Sequence, residues 1–178
     1  VHSIGAVAVS QAKPDIVWVG TGEATNRQSS SWGDGVYRST DGGETWDPMG
    51  LRDSKHIARI ALHPTNPDIV FVAAMGHLWG PNRERGLFKS GDGGKTWKSV
   101  LFVDNDTGVT DVVMDPRDPD VLIAAAYQRR RHVWTLINGG PESGVFKSTD
   151  AGRTWRRVES GLPGGDKGRI GLTVSPAN

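Results

Sequence analysis

The chain contains no cysteine, which excludes disulfide bonds and zinc sites built on thiolates. It has no apolar run close to the roughly 18 residues that cross a bilayer, so we expect no membrane span in this chain. An excess of one charge is also missing: 21 Lys and Arg stand against 20 Asp and Glu, and the formal net charge is +1. This balance argues against a nucleic-acid partner. We also expect no cofactor.

Glycine, proline and tryptophan are plentiful instead. The 178 residues include 24 Gly, 10 Pro and 7 Trp, and the glycines and prolines fall at regular places rather than in one tract. This distribution favours a turn-rich, all-β domain over a disordered chain. The length is sufficient for one domain with a sizeable core.

Two phrases recur along the chain. Residues 35–46 read GVYRSTDGGETW, residues 86–97 read GLFKSGDGGKTW and residues 144–155 read GVFKSTDAGRTW. A second phrase recurs out of phase with the first, as SQAKPDIVWVG from residue 10, HPTNPDIVFVA from residue 63 and DPRDPDVLIAA from residue 115. Internal repetition on this scale indicates a repeat architecture.

Each period divides into four short strands. In the middle repeat they are predicted near residues 57–63, 69–75, 86–90 and 96–102. Four antiparallel strands in a period of roughly 40–50 residues are typical of a β-propeller blade. We therefore predict one partial, all-β propeller domain over residues 1–178. Its blades are expected at about 4–50, 57–102 and 109–160, with the first strand of a fourth blade at about 169–178.

Three blades and one further strand cannot close a ring. The open faces of the end blades would expose apolar surface. We expect the chain to be part of a longer protein, in which the remaining blades of the same propeller cover these faces. Self-association that completes a ring is the alternative.

The first phrase resembles the Asp-box, or bacterial neuraminidase repeat, which has the pattern Ser/Thr-x-Asp-x-Gly-x-Thr-Trp. The matching residues are Ser39, Asp41, Gly43, Thr45 and Trp46; Ser90, Asp92, Gly94, Thr96 and Trp97; and Ser148, Asp150, Gly152, Thr154 and Trp155. The pattern is known in sialidases, sortilin-type receptor domains, some xyloglucan-degrading enzymes and photosystem II assembly factors. The resemblance implies a β-propeller with the box between the third and fourth strands, and an extracytoplasmic location. It implies no single function, because this fold supports several.

The residues of the box suit a hairpin turn, so we predict a structural role for them. An aspartate accepts hydrogen bonds from nearby backbone N–H groups, and the invariant glycine supplies a positive φ. The threonine is predicted to start the fourth strand, and the tryptophan to cover the turn. The three aspartates lie on separate blades and cannot form a catalytic pair.

Three long, variable segments follow the second strands, at residues 23–34, 76–85 and 128–143. In a four-stranded meander these segments share the face opposite the box, and variable loops on a repeated scaffold are where binding residues concentrate. The predicted ligand-binding residues are Arg27, Trp32, His77, Trp79, Asn82, Arg83, Arg85, Arg129, Arg130, Arg131, His132 and Trp134. The alternative is that the tryptophans pin the loops onto neighbouring blades.

Four further residues are weaker candidates for chemistry. Glu23 and Tyr127 end second strands near the expected central channel and are candidate catalytic groups. A satisfied strand-end carboxylate and a channel-lining aromatic are the alternatives. Asp104 and Asp106 lie in a DNDTG segment with a partial calcium-loop pattern, and a capped turn is the alternative.

Two classes of function remain open at this point. The first is a binding module that holds a glycan, peptide or protein on the long-loop face. The second is a glycoside hydrolase of the xyloglucanase or sialidase type, which needs two carboxylates about 5–10 Å apart. The Arg-Ile-Pro phrase that the sialidase resemblance implies before the first box is absent.

Overall fold

A computed structural model describes residues 3–25, 27 and 29–175. The first sheet contains β1 (Ile4–Val9), β2 (Val17–Thr21), β3 (Val36–Ser39) and β4 (Asp47–Pro48). A short 3-10 turn at Arg52–Ser54 leads into β5 (Ile57–Leu62), β6 (Val70–Ala74), β7 (Gly86–Ser90) and β8 (Lys98–Leu101). The third sheet contains β9 (Thr107–Met114), β10 (Leu122–Arg131), β11 (Leu136–Asn138), β12 (Gly144–Ser148) and β13 (Arg156–Val158).

Every pairing between these strands is antiparallel, and each sheet contains a four-stranded meander, which in the third sheet consists of β9, β10, β12 and β13. The strand β11 is an addition to the third sheet and pairs with the far half of β10. The first strands β1, β5 and β9 lie side by side, as at the centre of a propeller. The predicted fold is therefore confirmed: a β-propeller of four-stranded blades that forms an incomplete ring.

The predicted first strand of a fourth blade corresponds to an irregular segment in the structure. Residues 169–175 form no strand, and residues 176–178 of the predicted range lie outside the described residues. The backbone N–H of Leu172 donates to Oδ2 of Asp111 in β9, at 2.9 Å. The segment thus runs beside the first strand of the third blade, where a neighbouring blade would start.

The core lies between the blades. All five residues of β6 are buried, because β5 and β7 flank the strand and another blade covers each of its faces. Val70, Val72 and Ala74 pack towards the first blade, while Phe71 and Ala73 pack towards the third. The two-residue period of a strand therefore distributes one apolar run over two separate cores.

The contact between blades one and two centres on Trp18, which is fully buried. A Cβ atom on Gly94 would lie 2.4 Å from Cη2 of this indole, so the box turn of blade two rests directly on the ring. Arg38 covers the indole at 5.8 Å from its centroid, and its Nη1 donates to the carbonyl of Gly93 at 3.1 Å. Trp97 packs edge-on against Trp18 at 6.1 Å.

The contact between blades two and three repeats this arrangement with other residues. Phe71 occupies the position of the indole, and a Cβ atom on Gly152 would lie 2.9 Å from its Cε1. Lys89 lies 5.2 Å from the phenyl centroid and donates to the carbonyl of Ala151 at 2.7 Å. The box turns of blades two and three therefore pack onto the second strand of the preceding blade.

The box turn itself is closed by side chains. In blade two, the hydroxyls of Ser90 and Thr96 donate to the carboxylate of Asp92 at 2.8 and 2.6 Å. The backbone N–H of Thr96 donates to the same carboxylate at 2.9 Å, and that of Gly94 to the serine hydroxyl at 2.8 Å. The same bonds occur in blades one and three.

Two details of the turn differ from the sequence interpretation. The threonine does not start the fourth strand, since β8 begins at Lys98 and the Thr96 hydroxyl is used within the turn. Positive φ is also not confined to the invariant glycine: Gly93 has φ 73° and Ala151 has φ 58° at the preceding position. At Gly94 and Gly152 of the invariant position, the preceding blade also leaves no room for a Cβ.

We expect Asp92→Ala to lower the melting temperature at pH 7 by about 2–6 °C, because backbone and side-chain donors lose their acceptor. Hydrogen bonds from Thr96 and Ser90 lower the pKa of Asp92 from 3.8 to about 2. The stabilisation of the folded state by these hydrogen bonds is fully present above the ordinary pKa of the carboxyl group. It is lost as the pH falls through the folded-state pKa. Thermal scans at pH 7, 4 and 2 measure it. Lys95→Ala, at an exposed position in the same turn, is the control. An equal loss in both variants would contradict the prediction.

Candidate functional site

The three blades meet just beyond the ends of β2 and β6 and within β10. Ala24, Met75 and Tyr127, one from each blade, pack together with Ala58. The long segments that follow these strands therefore leave the scaffold close to one another. The opposite end is occupied by the box turns, each of which donates a backbone N–H to the turn between the first two strands of its own blade.

A cleft of about 470 Å³ lies between the long segments of blades one and two. Its walls are formed by Trp32, Lys55, His77, Leu78 and Trp79. The side chains of Trp32 and Trp79 are 63% and 46% exposed. Both indoles thus offer free surface to a ligand, in contrast to the buried Trp18 of the scaffold.

The segment of blade three is a hairpin, which the sequence interpretation of residues 128–143 as a loop missed. The strand β10 continues to Arg131 and pairs with β11, so that Arg129 lies opposite Asn138. At the tip, His132 stacks on Trp134 at 5.6 Å, and Trp134 is 82% exposed.

Successive side chains of β10 point to opposite faces, so its neighbouring arginines lie in different environments. Arg129 is buried, with 3% of its surface exposed, whereas Arg130 is exposed. Arg131 lies over the ring of Trp79 at 5.4 Å, and the two residues share a parallel β-bridge. The hairpin thus supports one wall of the cleft.

In blade two, Arg85 is buried within its own loop. It donates to the carbonyls of Met75 at 3.1 Å and His77 at 2.9 Å, and burial lowers its pKa to about 10. The side chain of Asn82 accepts a hydrogen bond from the N–H of His77 at 3.3 Å. These two residues shape the loop that presents the cleft, while Arg83 is exposed.

Glu23 is engaged within the first long segment. Its carboxylate accepts hydrogen bonds from the hydroxyl of Thr25 at 2.7 Å and the N–H of Ser31 at 3.1 Å, and pairs with Arg27 at 2.9 Å. These hydrogen bonds lower its pKa. A general acid needs a raised pKa, so this arrangement suits a structural carboxylate.

The other weak candidates, Tyr127 and the pair Asp104 and Asp106, form hydrogen bonds with nearby residues. Tyr127 lies within β10 rather than at a strand end, is buried, and donates to Oδ1 of Asn138 at 2.9 Å. Asp104 accepts a hydrogen bond from the N–H of Asp106 at 2.8 Å in the turn before β9.

Over the described residues, no group of three or more His, Asp or Glu side chains is placed to hold a metal. No helix in that part of the chain is long and apolar enough to cross a membrane.

Sequence reasoning missed His56, which lies between the cleft residue Lys55 and β5. The ring is buried, and its Nδ1 lies 2.8 Å from the carbonyl oxygen of Gly76. Burial lowers its pKa, and the charges of Arg129, His77 and Arg85 act in the same direction. A lone histidine before an apolar strand carries no pattern that would have identified it.

Known proteins resemble this chain in sequence and in fold. Oligoxyloglucan-reducing end-specific xyloglucanase of Emericella nidulans is 25% identical over 165 residues, which are 86% of this chain and 17% of that protein. Vacuolar protein sorting/targeting protein 10 of Kluyveromyces lactis is 37% identical over 71 residues, 40% of this chain and 4% of that protein. The crystal structure of an ancestral GH74 enzyme superposes with a TM-score of 0.66 at 18% identity, covering 92% of this chain and 21% of the other.

The chain spans about a fifth or less of the length of these relatives. The family described as Sortilin-Vps10 (Sortilin, neurotensin receptor 3) matches residues 34–164. This range covers all three box turns and two of the long segments. The chain therefore belongs to the Sortilin-Vps10 family of β-propeller proteins.

Proposed function

We propose that this propeller is a ligand-binding module whose long-loop face holds a glycan, peptide or protein partner. The observation that carries the proposal is the cleft between Trp32 and Trp79, with two exposed indoles and His77 at its wall. Flat aromatic faces stack on sugar rings and on apolar side chains, and a few polar groups fix the orientation of the ligand.

The surrounding structure supports a preformed site. Arg85 holds the loop of blade two through backbone carbonyls, and Arg131 lies over Trp79. Side chains that are held before binding lose little conformational freedom when the ligand arrives. The cleft is therefore expected to change little in shape on binding.

Further blades of the same propeller are proposed as intramolecular partners. Ile4, Val7 and Val9 of β1 are exposed apolar residues on the first blade. On the third blade, Ile123 lies opposite Lys147. The same position pairs Trp18 with Arg38 in the first blade and Phe71 with Lys89 in the second. Additional blades would cover both faces. By family resemblance we also propose an extracytoplasmic location.

Glycoside hydrolysis is the second candidate, favoured by the similarity to xyloglucanases. It requires an acid and a second carboxylate about 5–10 Å apart. Glu23 does not suit the acid, because hydrogen bonds lower its pKa. In this alternative the carboxylates come from other residues of the long-loop face or from other parts of a longer protein.

Screening the full-length protein on glycan and peptide arrays, with detection of released sugar, tests the two candidates together. The binding proposal expects retention of a ligand without turnover. Release of sugar would establish the hydrolase. Absence of binding to every class on the arrays, by a protein shown to be folded, would overturn the proposal for glycans and peptides.

A further inference from the structure

We propose that Arg129, Arg85 and His56 form a subsite beside the cleft for one anionic oxygen group of the ligand, a carboxylate, sulfate or phosphate. The inference rests on the proposed function, since it assigns a charge to part of the ligand. It begins from buried side-chain nitrogens that have no hydrogen-bond partner.

Arg129 presents the strongest case. Its Nε and Nη2 are buried and have no hydrogen-bond partner among the described residues. An unpaired buried donor destabilises the fold, and does so more strongly when the group is charged. Buried polar groups in folded proteins are almost always satisfied, so such donors indicate a missing acceptor.

Two neighbouring groups share this condition. Nε of Arg85 and Nε2 of His56 are also buried without a partner. Positive charge on Arg129 disfavours the protonated forms of both Arg85 and His56, which places the three groups within electrostatic range of one another. The guanidinium groups of Arg85 and Arg129 are buried like charges, which are costly without an anion to balance them. Nδ1 of His56 donates to the carbonyl of Gly76, so its Nε2 becomes a donor to such an anion when the ring is protonated.

The backbone brings these groups together from two blades. The N–H of Arg129 donates to the carbonyl of Asp106 at 3.0 Å, at the entrance to β9. A Cβ atom on Gly108, two residues later, would lie 2.7 Å from Cα of Met75. The N–H of Met75 in turn donates to the carbonyl of His56 at 2.9 Å. The subsite therefore lies at the junction of blades two and three.

The carboxylates nearest these groups among the described residues do not fill the position. Glu23 acts electrostatically on Arg129, but its oxygens accept from Thr25 and Ser31 and pair with Arg27. Asp104 and Asp106 act in the same way on Arg85, without a hydrogen bond to its guanidinium in the described structure.

The subsite adjoins the cleft through His77. This residue lines the cleft, and its Nε2 is also buried without a partner. It follows Gly76, whose carbonyl contacts His56. A ligand stacked between the indoles could thus place an anionic substituent against the guanidinium of Arg129, where charge-assisted hydrogen bonds are strong.

Titrating the full-length protein with sulfate, phosphate, acetate and glucuronate, against sodium chloride at equal ionic strength, tests the subsite. We expect saturable binding of at least one of these anions, weakened at least tenfold in Arg129→Gln. Arg156→Gln removes an exposed arginine of β13 and should bind as the unaltered protein does. The order of affinities distinguishes planar carboxylates from tetrahedral anions.

Two further measurements keep the test independent of folding and of the cleft. In the unaltered protein, a bound anion should raise the pKa of His56, and the NMR chemical shifts of the ring report this change. The groups that act on this ring are Gly76, Arg129, His77, Arg85 and Glu23. Anion binding should also persist when Trp32 and Trp79 are both replaced by Ala. Equal anion affinity in Arg129→Gln, or a response no larger than that to chloride, would overturn the subsite. Loss of a neutral ligand alone, with anion binding kept, would count only against the proposed cleft.

Discussion

Replacing Gly94 by alanine is expected to destabilise the protein by about 2–5 kcal/mol. A left-handed backbone costs an ordinary residue about 1–2 kcal/mol, and Gly94 has φ 92°. The new Cβ would lie 2.4 Å from Cη2 of the buried Trp18. Forcing a group into a packed core adds about 1–3 kcal/mol.

Gly42→Ala provides the matched control for this substitution. Gly42 has φ 75°, and a Cβ atom there would meet nothing within 4 Å. Ala151 shows that alanine is accommodated at the equivalent position of blade three. Urea unfolding of both variants should therefore differ by the packing contribution of about 1–3 kcal/mol. Equal losses would show that the turn does not press against the indole of the preceding blade.

The second large effect is expected on binding. Once a ligand is known, replacing both Trp32 and Trp79 by alanine should weaken its affinity by tenfold or more, with little change in melting temperature. Aromatic residues dominate binding energy at interfaces, and tenfold in affinity corresponds to about 1.4 kcal/mol. Stability should hold because Trp32 is 63% and Trp79 46% exposed, so neither indole belongs to the core. Calorimetric titration and a thermal scan of the same sample give both quantities.

Trp134→Ala separates the cleft from the hairpin tip. Trp134 is the more exposed indole and is stacked on His132, and neither residue lines the cleft. We expect this variant to retain more affinity than the double variant. The reverse result would move the binding site from the cleft to the tip. A large fall in melting temperature with unchanged affinity in the double variant would restore the view that these tryptophans pin the loops.

Much of the scaffold was predictable because its determinants are local. The turn residues Asp92 and Gly94 recur at fixed offsets in three repeats, and the apolar run 69–75 predicted the buried strand β6 at Val70–Ala74. The hairpin of β10 and β11 was not predictable in the same way. Three consecutive arginines and a histidine carry no apolar alternation, although their strand leaves one arginine buried and the next exposed.

The candidate site depends on contacts that local patterns do not describe. Sequence alone nominated Arg83, Arg85, Arg129 and Arg130 on equal terms, since each is an arginine in a variable segment. The structure divides them: Arg85 and Arg129 are buried, while Arg83 and Arg130 face solvent. It also brings in His56, which no motif marks.

Local patterns in the sequence set the blade repeat, the turn chemistry of the Asp-box and the face from which the long segments emerge, because hydrogen bonding and φ preferences act over a few neighbouring residues. Which polar side chains are buried and which indoles stay exposed depends on how the blades pack together. Burial at Arg129 and exposure at Trp32 depend on segments of other blades that are distant along the chain. Packing between such segments sets the local solvation of a charge or an aromatic ring, and therefore where a ligand can bind.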